Sequence, residues 1–151
     1  MLSYVPDPIA ALAEMARVLR KPHGRILVLD TDWRTSVLHS ADPGRCARVR
    51  DATTASYGFV DTQLPAKLPS LVLSTPLHVR DVLGFTLAKA GSFVRGSYFD
   101  VVSGAAAAVA MGVGEEELSA FVAEQEALAR DGGFFYCATR MLFILALGPH
   151  R

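Results

Sequence analysis

A chain of 151 residues is long enough for one domain with a substantial core. It is 51% hydrophobic with a mean hydropathy of +0.29, but no stretch of 18 residues is uniformly apolar, and Arg140 interrupts the richest region, so a membrane span is not expected. Fifteen basic and 15 acidic residues cancel, and the only basic cluster, Arg45, Arg48 and Arg50, is distributed around a helical turn, so no nucleic-acid partner is expected.

Two cysteines, Cys46 and Cys137, are too few for a disulfide framework or a zinc site. They read as small buried or half-buried thiols in a reducing compartment. No charged leader followed by an apolar core is visible at the N-terminus. The expected location is cytoplasmic.

Asp7-Pro8 pairs an N-cap with a proline at the first helical position. Ile9, Leu12, Ala16 and Leu19 follow at helical spacing. The helix is expected to end near Arg20, with Lys21, Pro22 and Gly24 as stop signals. Next come four consecutive apolar residues, Ile26 to Leu29, inside a strand expected over Arg25 to Thr31. A run without alternation suits a strand buried on both faces, as in a parallel sheet covered by helices. Ligands bind beyond the carboxyl ends of such strands, and Asp30, Asp32 and Trp33 fall there.

Asp42-Pro43 repeats the cap-plus-proline signal and predicts a helix to about Ser56. Pro65 and Pro69 suggest a short helix, followed by a turn at Ser74-Thr75-Pro76. Val79 to Ala88 roughly alternates and predicts a strand of edge character. Ser97 to Met111, rich in alanine, is expected as helix until Gly112 and Gly114. Glu115 to Arg130 carries acids in its first turn and Leu118, Phe121, Val122 and Leu128 at helical spacing. Phe134 to Leu147 is the longest strand candidate.

The segments Leu2-Ser-Tyr-Val-Pro-Asp-Pro8, Ala13-Glu-Met-Ala-Arg-Val-Leu-Arg20, Pro22-x-Gly24 and Asp30-Thr-Asp-Trp33 occur in a familiar order. Together they resemble the second half of the class I S-adenosylmethionine-dependent methyltransferases, in particular the small-molecule enzymes related to those of ubiquinone and menaquinone biosynthesis. The resemblance is strong over about the first 33 residues and weak beyond them. It implies an α/β fold, a partial Rossmann-like sheet holding strands five to seven of seven. Gly24–Thr31 would be strand five and Val79–Ala88 strand six. Phe134–Leu147 would be strand seven, antiparallel and lying between the other two. The family grips its cofactor through a glycine-rich loop after its first strand, which has no counterpart here; Gly112-Val-Gly114 lies between helices. The expectation is therefore a single partial domain. Its first strand would have an unpaired edge, and the isolated chain would dimerise, aggregate or be only marginally folded; its partner would be a second copy or a chain carrying the missing half.

By the same resemblance S-adenosylmethionine is the cofactor, a small molecule the acceptor, and Leu2, Ser3 and Tyr4 lie beside the cofactor. Asp30 and Asp32 would orient the acceptor or take its proton; otherwise they cap a turn or meet solvent. His39 is a candidate general base, or a surface loop histidine. Trp33 would wall the acceptor pocket or anchor the core. Tyr136 and Arg140 would reach the same side or point to solvent. His23, His39, His78 and His150 are scattered, so no metal site is expected. Two rival readings are a non-catalytic subunit that completes its sheet against another chain, and a nucleotide-dependent oxidoreductase with Asp30 on a ribose.

Overall fold

The computed structural model describes residues 2–19, 23–98 and 100–148. Arg20, the stop signals Lys21 and Pro22, and also His150, lie outside them. A short 3-10 turn, Leu2–Tyr4, leads into helix α1, Pro8–Val18; strand β1, Ile26–Leu38, follows. Helices α2, Pro43–Ser56, and α3, Leu64–Val72, precede strand β2, Leu77–Gly91. Helix α4, Val101–Ala105, runs into a 3-10 stretch, Ala106–Met111. Helix α5, Glu115–Arg130, and strand β3, Phe134–Leu147, complete the order. The three strands form one open antiparallel sheet in the order β1-β3-β2. The last strand is thus central and antiparallel to both neighbours, the position expected for Phe134–Leu147.

Local chemistry explains the boundaries. Asp7 accepts the Ala10 N–H at 2.9 Å, and Asp42 accepts the Arg45 N–H at 2.9 Å, each with proline at the first helical position. Helix α5 has Glu115, Glu116 and Glu117 at its positive end and Arg130 at its negative end. It closes on Gly132, whose φ of 77° is open to glycine, while the Gly133 N–H donates to Leu128 O at 2.8 Å.

Three expectations are corrected. The first strand does not stop at Thr31 but runs to Leu38, so Asp30, Asp32 and Trp33 lie in mid-strand and not beyond its end. It is also not buried on both faces: Leu27 is 64% exposed and Leu29 40%, while the alternate residues Val28 and Asp30 are buried. The apolar run hid an alternation that only a neighbour on one face enforces. Third, the alanine-rich helix begins at Val101, not Ser97. Asp100 caps it, accepting from Val102 N and Ser103 N, and the Ala106–Met111 portion tightens to 3-10 geometry before Gly112.

Contacts group the chain into two compact units. The first comprises residues 1–35, 60–86 and 139–151. Its core joins Leu12 and Ala16 of α1, Leu64 and Leu68 of α3, and Phe143 and Leu145 of β3. Ile9, expected on the buried face of α1, is exposed in its first turn. The second unit comprises residues 36–59 and 87–138. Cys46 and Val49 of α2 pack there with Ala105, Ala108 and Phe121. A further cluster gathers Phe134, Tyr136 and Ala138 with Phe93 and Leu128. Both cysteines are free thiols; Cys46 is buried and Cys137 half-buried.

Candidate functional site

In the first unit the mid-strand acids of β1 organise the polar interior. Asp30 is 6% exposed. Its Oδ2 accepts the Ser3 hydroxyl at 2.8 Å and the Ser3 N–H at 3.4 Å, and its Oδ1 accepts the Thr31 N–H at 2.9 Å. Ser3 is itself buried, and its carbonyl accepts the N–H groups of Val60 at 2.8 Å and Asp61 at 3.2 Å. One serine therefore clasps three segments: the N-terminal 3-10 turn, β1, and the loop before α3. Leu2 beside it lies in the core, and Tyr4 is exposed. All three side chains fall in an ordered turn.

Asp32 is 4% exposed and engaged by one partner. Arg34 grips it through Nε to Oδ1 at 3.0 Å and Nη2 to Oδ2 at 2.8 Å, and the Arg34 N–H adds a third bond to Oδ1 at 3.1 Å. The guanidinium holds the Asp32 carboxyl below the usual carboxylate range, against the upward push of burial. A carboxylate so occupied and so weakly basic is poorly placed to take a proton at neutral pH. The fork between Arg34 and Asp32 spans alternate residues of one strand. An Asp-x-Arg spacing is the signal that could have revealed it. Asp61, whose N–H is the second donor to the Ser3 carbonyl, is a further acid of this unit; its carboxylate meets Lys67 Nζ at 2.7 Å.

Trp33 is half-buried in mid-strand. Arg140, on the adjacent β3, reaches Thr31 Oγ1 from Nε at 3.3 Å, and the Thr139 N–H donates to Thr35 Oγ1 at 2.8 Å. The structure therefore brings Ser3, Asp30, Asp32, Trp33 and Arg140 into one unit, around the β1–β3 pairing.

His39 and Tyr136 belong to the second unit. His39 is exposed; its backbone N–H donates to Phe135 O at 3.0 Å, and its carbonyl accepts from Gln125 Nε2 at 3.0 Å. Its backbone extends the edge of the pairing, and its ring lies at the surface. Tyr136, expected at the acceptor, is 7% exposed within the aromatic core, its ring meeting that of Tyr98 edge-on at 6.3 Å between centroids. Burial pushes its hydroxyl well above the ordinary phenol range. Tyr136 packs within this core.

The best-developed polar network is also in the second unit. Glu124 of α5 accepts from Ser40 Oγ at 2.9 Å, Ala41 N at 2.5 Å and Arg45 Nη2 at 2.7 Å. Burial alone would raise its carboxyl, but these donors outweigh it and hold the group below the usual range. Since the folded state prefers the anion, this contribution to stability is complete above the unfolded pKa of about 4.3. It is lost as pH falls through the depressed folded value. Glu124→Gln should therefore lower stability by about 1–2 kcal/mol at pH 7. The difference from the unsubstituted chain should narrow below pH 4, in urea titrations at both pH values. The remaining arginines of α2 are paired as well, Arg48 with Glu117 and Arg50 with Asp51.

A groove of about 690 Å³ in the first unit is lined by residues from α3 and β2, among them Pro69, Leu73, His78 and Arg80. Among the described residues no three His, Cys, Asp or Glu side chains are grouped to hold a metal ion. Among them, too, no helix is long and apolar enough to cross a membrane. No protein-family model matches the chain, and no curated protein matches it.

Proposed function

We propose that this chain carries the acceptor side of an S-adenosylmethionine-dependent methyltransferase acting on a small molecule. The observation that carries the reading is the strand order. Phe134–Leu147 is central and antiparallel between β1 and β2, as the resemblance over the first 33 residues implies for strands five, seven and six of a Rossmann-like sheet. The capped α1 leading into β1 supports it in register. In this reading the glycine-rich cofactor loop, absent from these 151 residues, is contributed from outside them and adds to the sheet beside β1. Methyl transfer needs alignment of nucleophile, methyl and sulfur with water excluded; the sulfonium is already a strong electrophile. No general base is then required, which fits carboxylates that are already hydrogen-bonded.

One observation favours a second reading, a non-catalytic subunit that completes its sheet against another chain. Both oxygens of Asp30 and both of Asp32 are taken by protein donors, so neither is left poised for a substrate. Calorimetric titration separates the readings. The 151-residue chain alone should give no measurable heat with S-adenosylmethionine. Fused behind the glycine-rich half of a family member, it should bind the cofactor and transfer label from methyl-tritiated S-adenosylmethionine. Tight binding by the chain alone would overturn the divided site. A fusion that binds but never transfers would favour the non-catalytic subunit, and one that fails to bind would count against the family.

A further inference from the structure

Strand β2 borders the sheet, and its stretch from Arg80 to Thr86 is exposed on both faces, with Val82 at 44%, Leu83 at 49% and Phe85 at 42%. The Val82 N–H donates to the carboxylate of its own neighbour, Asp81 Oδ1, at 2.8 Å. Long, apolar, unpaired edges are what protein sheets ordinarily avoid, because they pair with another strand.

The sequence of this edge specifies which strand. Along a pleated strand alternate residues share a face. One face of β2 therefore carries Asp81, Leu83, Phe85, Leu87 and Lys89 in succession. Read backwards, the series is the same in shape and opposite in charge: a charged end, leucine, phenylalanine, leucine, and the other charged end. An antiparallel copy centred on Phe85 sets Phe85 against Phe85 and Leu83 against Leu87, with Asp81 against Lys89 at both ends. The Phe85, Leu83–Leu87 and Asp81–Lys89 pairs then lie directly opposite one another, where side chains across an antiparallel pair meet. A pattern complementary to itself makes an isologous two-fold contact, which closes at two copies. A shift by one residue would break both ion pairs and both leucine contacts together.

We propose that two copies of this chain join edge to edge through β2, antiparallel about a two-fold axis at Phe85. The pairing extends the three-stranded sheet to six strands across the dimer and covers the exposed Leu83 and Phe85. It uses the opposite border of the sheet from β1, so it is compatible with a further strand added there and does not depend on the methyltransferase reading.

The test is charge exchange read by sedimentation velocity and light scattering on the full chain, with circular dichroism to verify folding. The unsubstituted chain should be a dimer. Asp81→Lys puts like charges opposite one another at both ends of the pairing, and so does Lys89→Asp. Each variant alone should show a dimer dissociation constant raised on the order of tenfold or more. Mixed in equal amounts, the two variants again present opposite charges at both ends and should form a heterodimer with near-original affinity. A monomeric unsubstituted chain would overturn the proposal. So would single variants that dimerise as well as the original, which would place the contact on another surface, or a mixture that fails to associate. Open-ended growth instead of a closed dimer would overturn the two-fold arrangement.

Discussion

Leu145→Ala is expected to remove about 3–4 kcal/mol from the stability of the first unit. Leu145 is fully buried in the central strand and packs in the cluster that includes Leu12, Leu68 and Phe143. The substitution deletes three carbons and leaves a cavity that close-packed neighbours cannot readily collapse. Domain stabilities of about 5–15 kcal/mol make this a large fraction of the whole. Leu83→Ala removes the same atoms from a residue 49% exposed on β2 and should change the stability of the monomer by about 0.5 kcal/mol or less. Urea unfolding followed by the fluorescence of Trp33, which lies in the same unit as Leu145, measures both. Equal effects would contradict the β1-β3-β2 order, because that order is what makes one leucine central and the other peripheral.

Asp30→Ala is the second large effect, a loss of about 2–4 kcal/mol. It leaves the buried Ser3 hydroxyl and the Thr31 N–H without the acceptor each uses. The damage should be specific in place. Ser3 carries the carbonyl that receives the Val60 and Asp61 N–H groups, so amide exchange at those two residues should accelerate ahead of exchange in β3. Asp30→Asn separates structure from chemistry. The amide keeps one acceptor and a shape close to the acid, so it should cost about 1 kcal/mol and preserve most of the protection at Val60 and Asp61. If Asp30 only holds the Ser3 turn, this variant also preserves methyl transfer in the cofactor-competent fusion. If Asp30 takes a proton, it loses roughly 100-fold or more.

The helix starts were legible because a single side chain writes each of them. Asp7-Pro8 and Asp42-Pro43 place an acceptor and a fixed φ at consecutive residues, and α1 and α2 begin on those prolines. Helix α5 and strand β3 have the expected bounds for a similar reason: a local glycine turn separates them, and each is internally consistent in pattern. Strand β1 was only half legible. Its continuation from Asp32 to Leu38 carries Asp32, Arg34 and Ser36 at alternate positions, a polar series without the apolar run of residues 26–29. It persists as strand because β3 supplies partners from residues more than 100 positions away, including the Thr139 N–H bonded to Thr35. No local pattern carries that information.

Of the candidate residues, Leu2, Ser3, Tyr4, Asp30, Asp32, Trp33 and Arg140 fall in one unit, whereas His39 and Tyr136 fall in the other. What each does depended on distances between side chains. The two acids looked alike in the sequence, yet one is held by a serine from the N-terminal turn and the other by the arginine two residues along. Tyr136 alternates with other large residues on β3, and pattern alone does not say which side of that strand an aromatic cluster covers.

The bond between Arg140 and Thr31 joins residues 109 positions apart. That separation sets a delay during synthesis. At roughly 5–20 residues per second, β1 waits roughly 5–20 s after it is made before its partner strand exists. Throughout that interval the β1 backbone, and side chains such as Val28 that are buried in the folded protein, have no sheet to join. Nascent chains of this protein should therefore depend on holding chaperones until β3 emerges, and faster elongation over α2 to α5 should shorten that dependence.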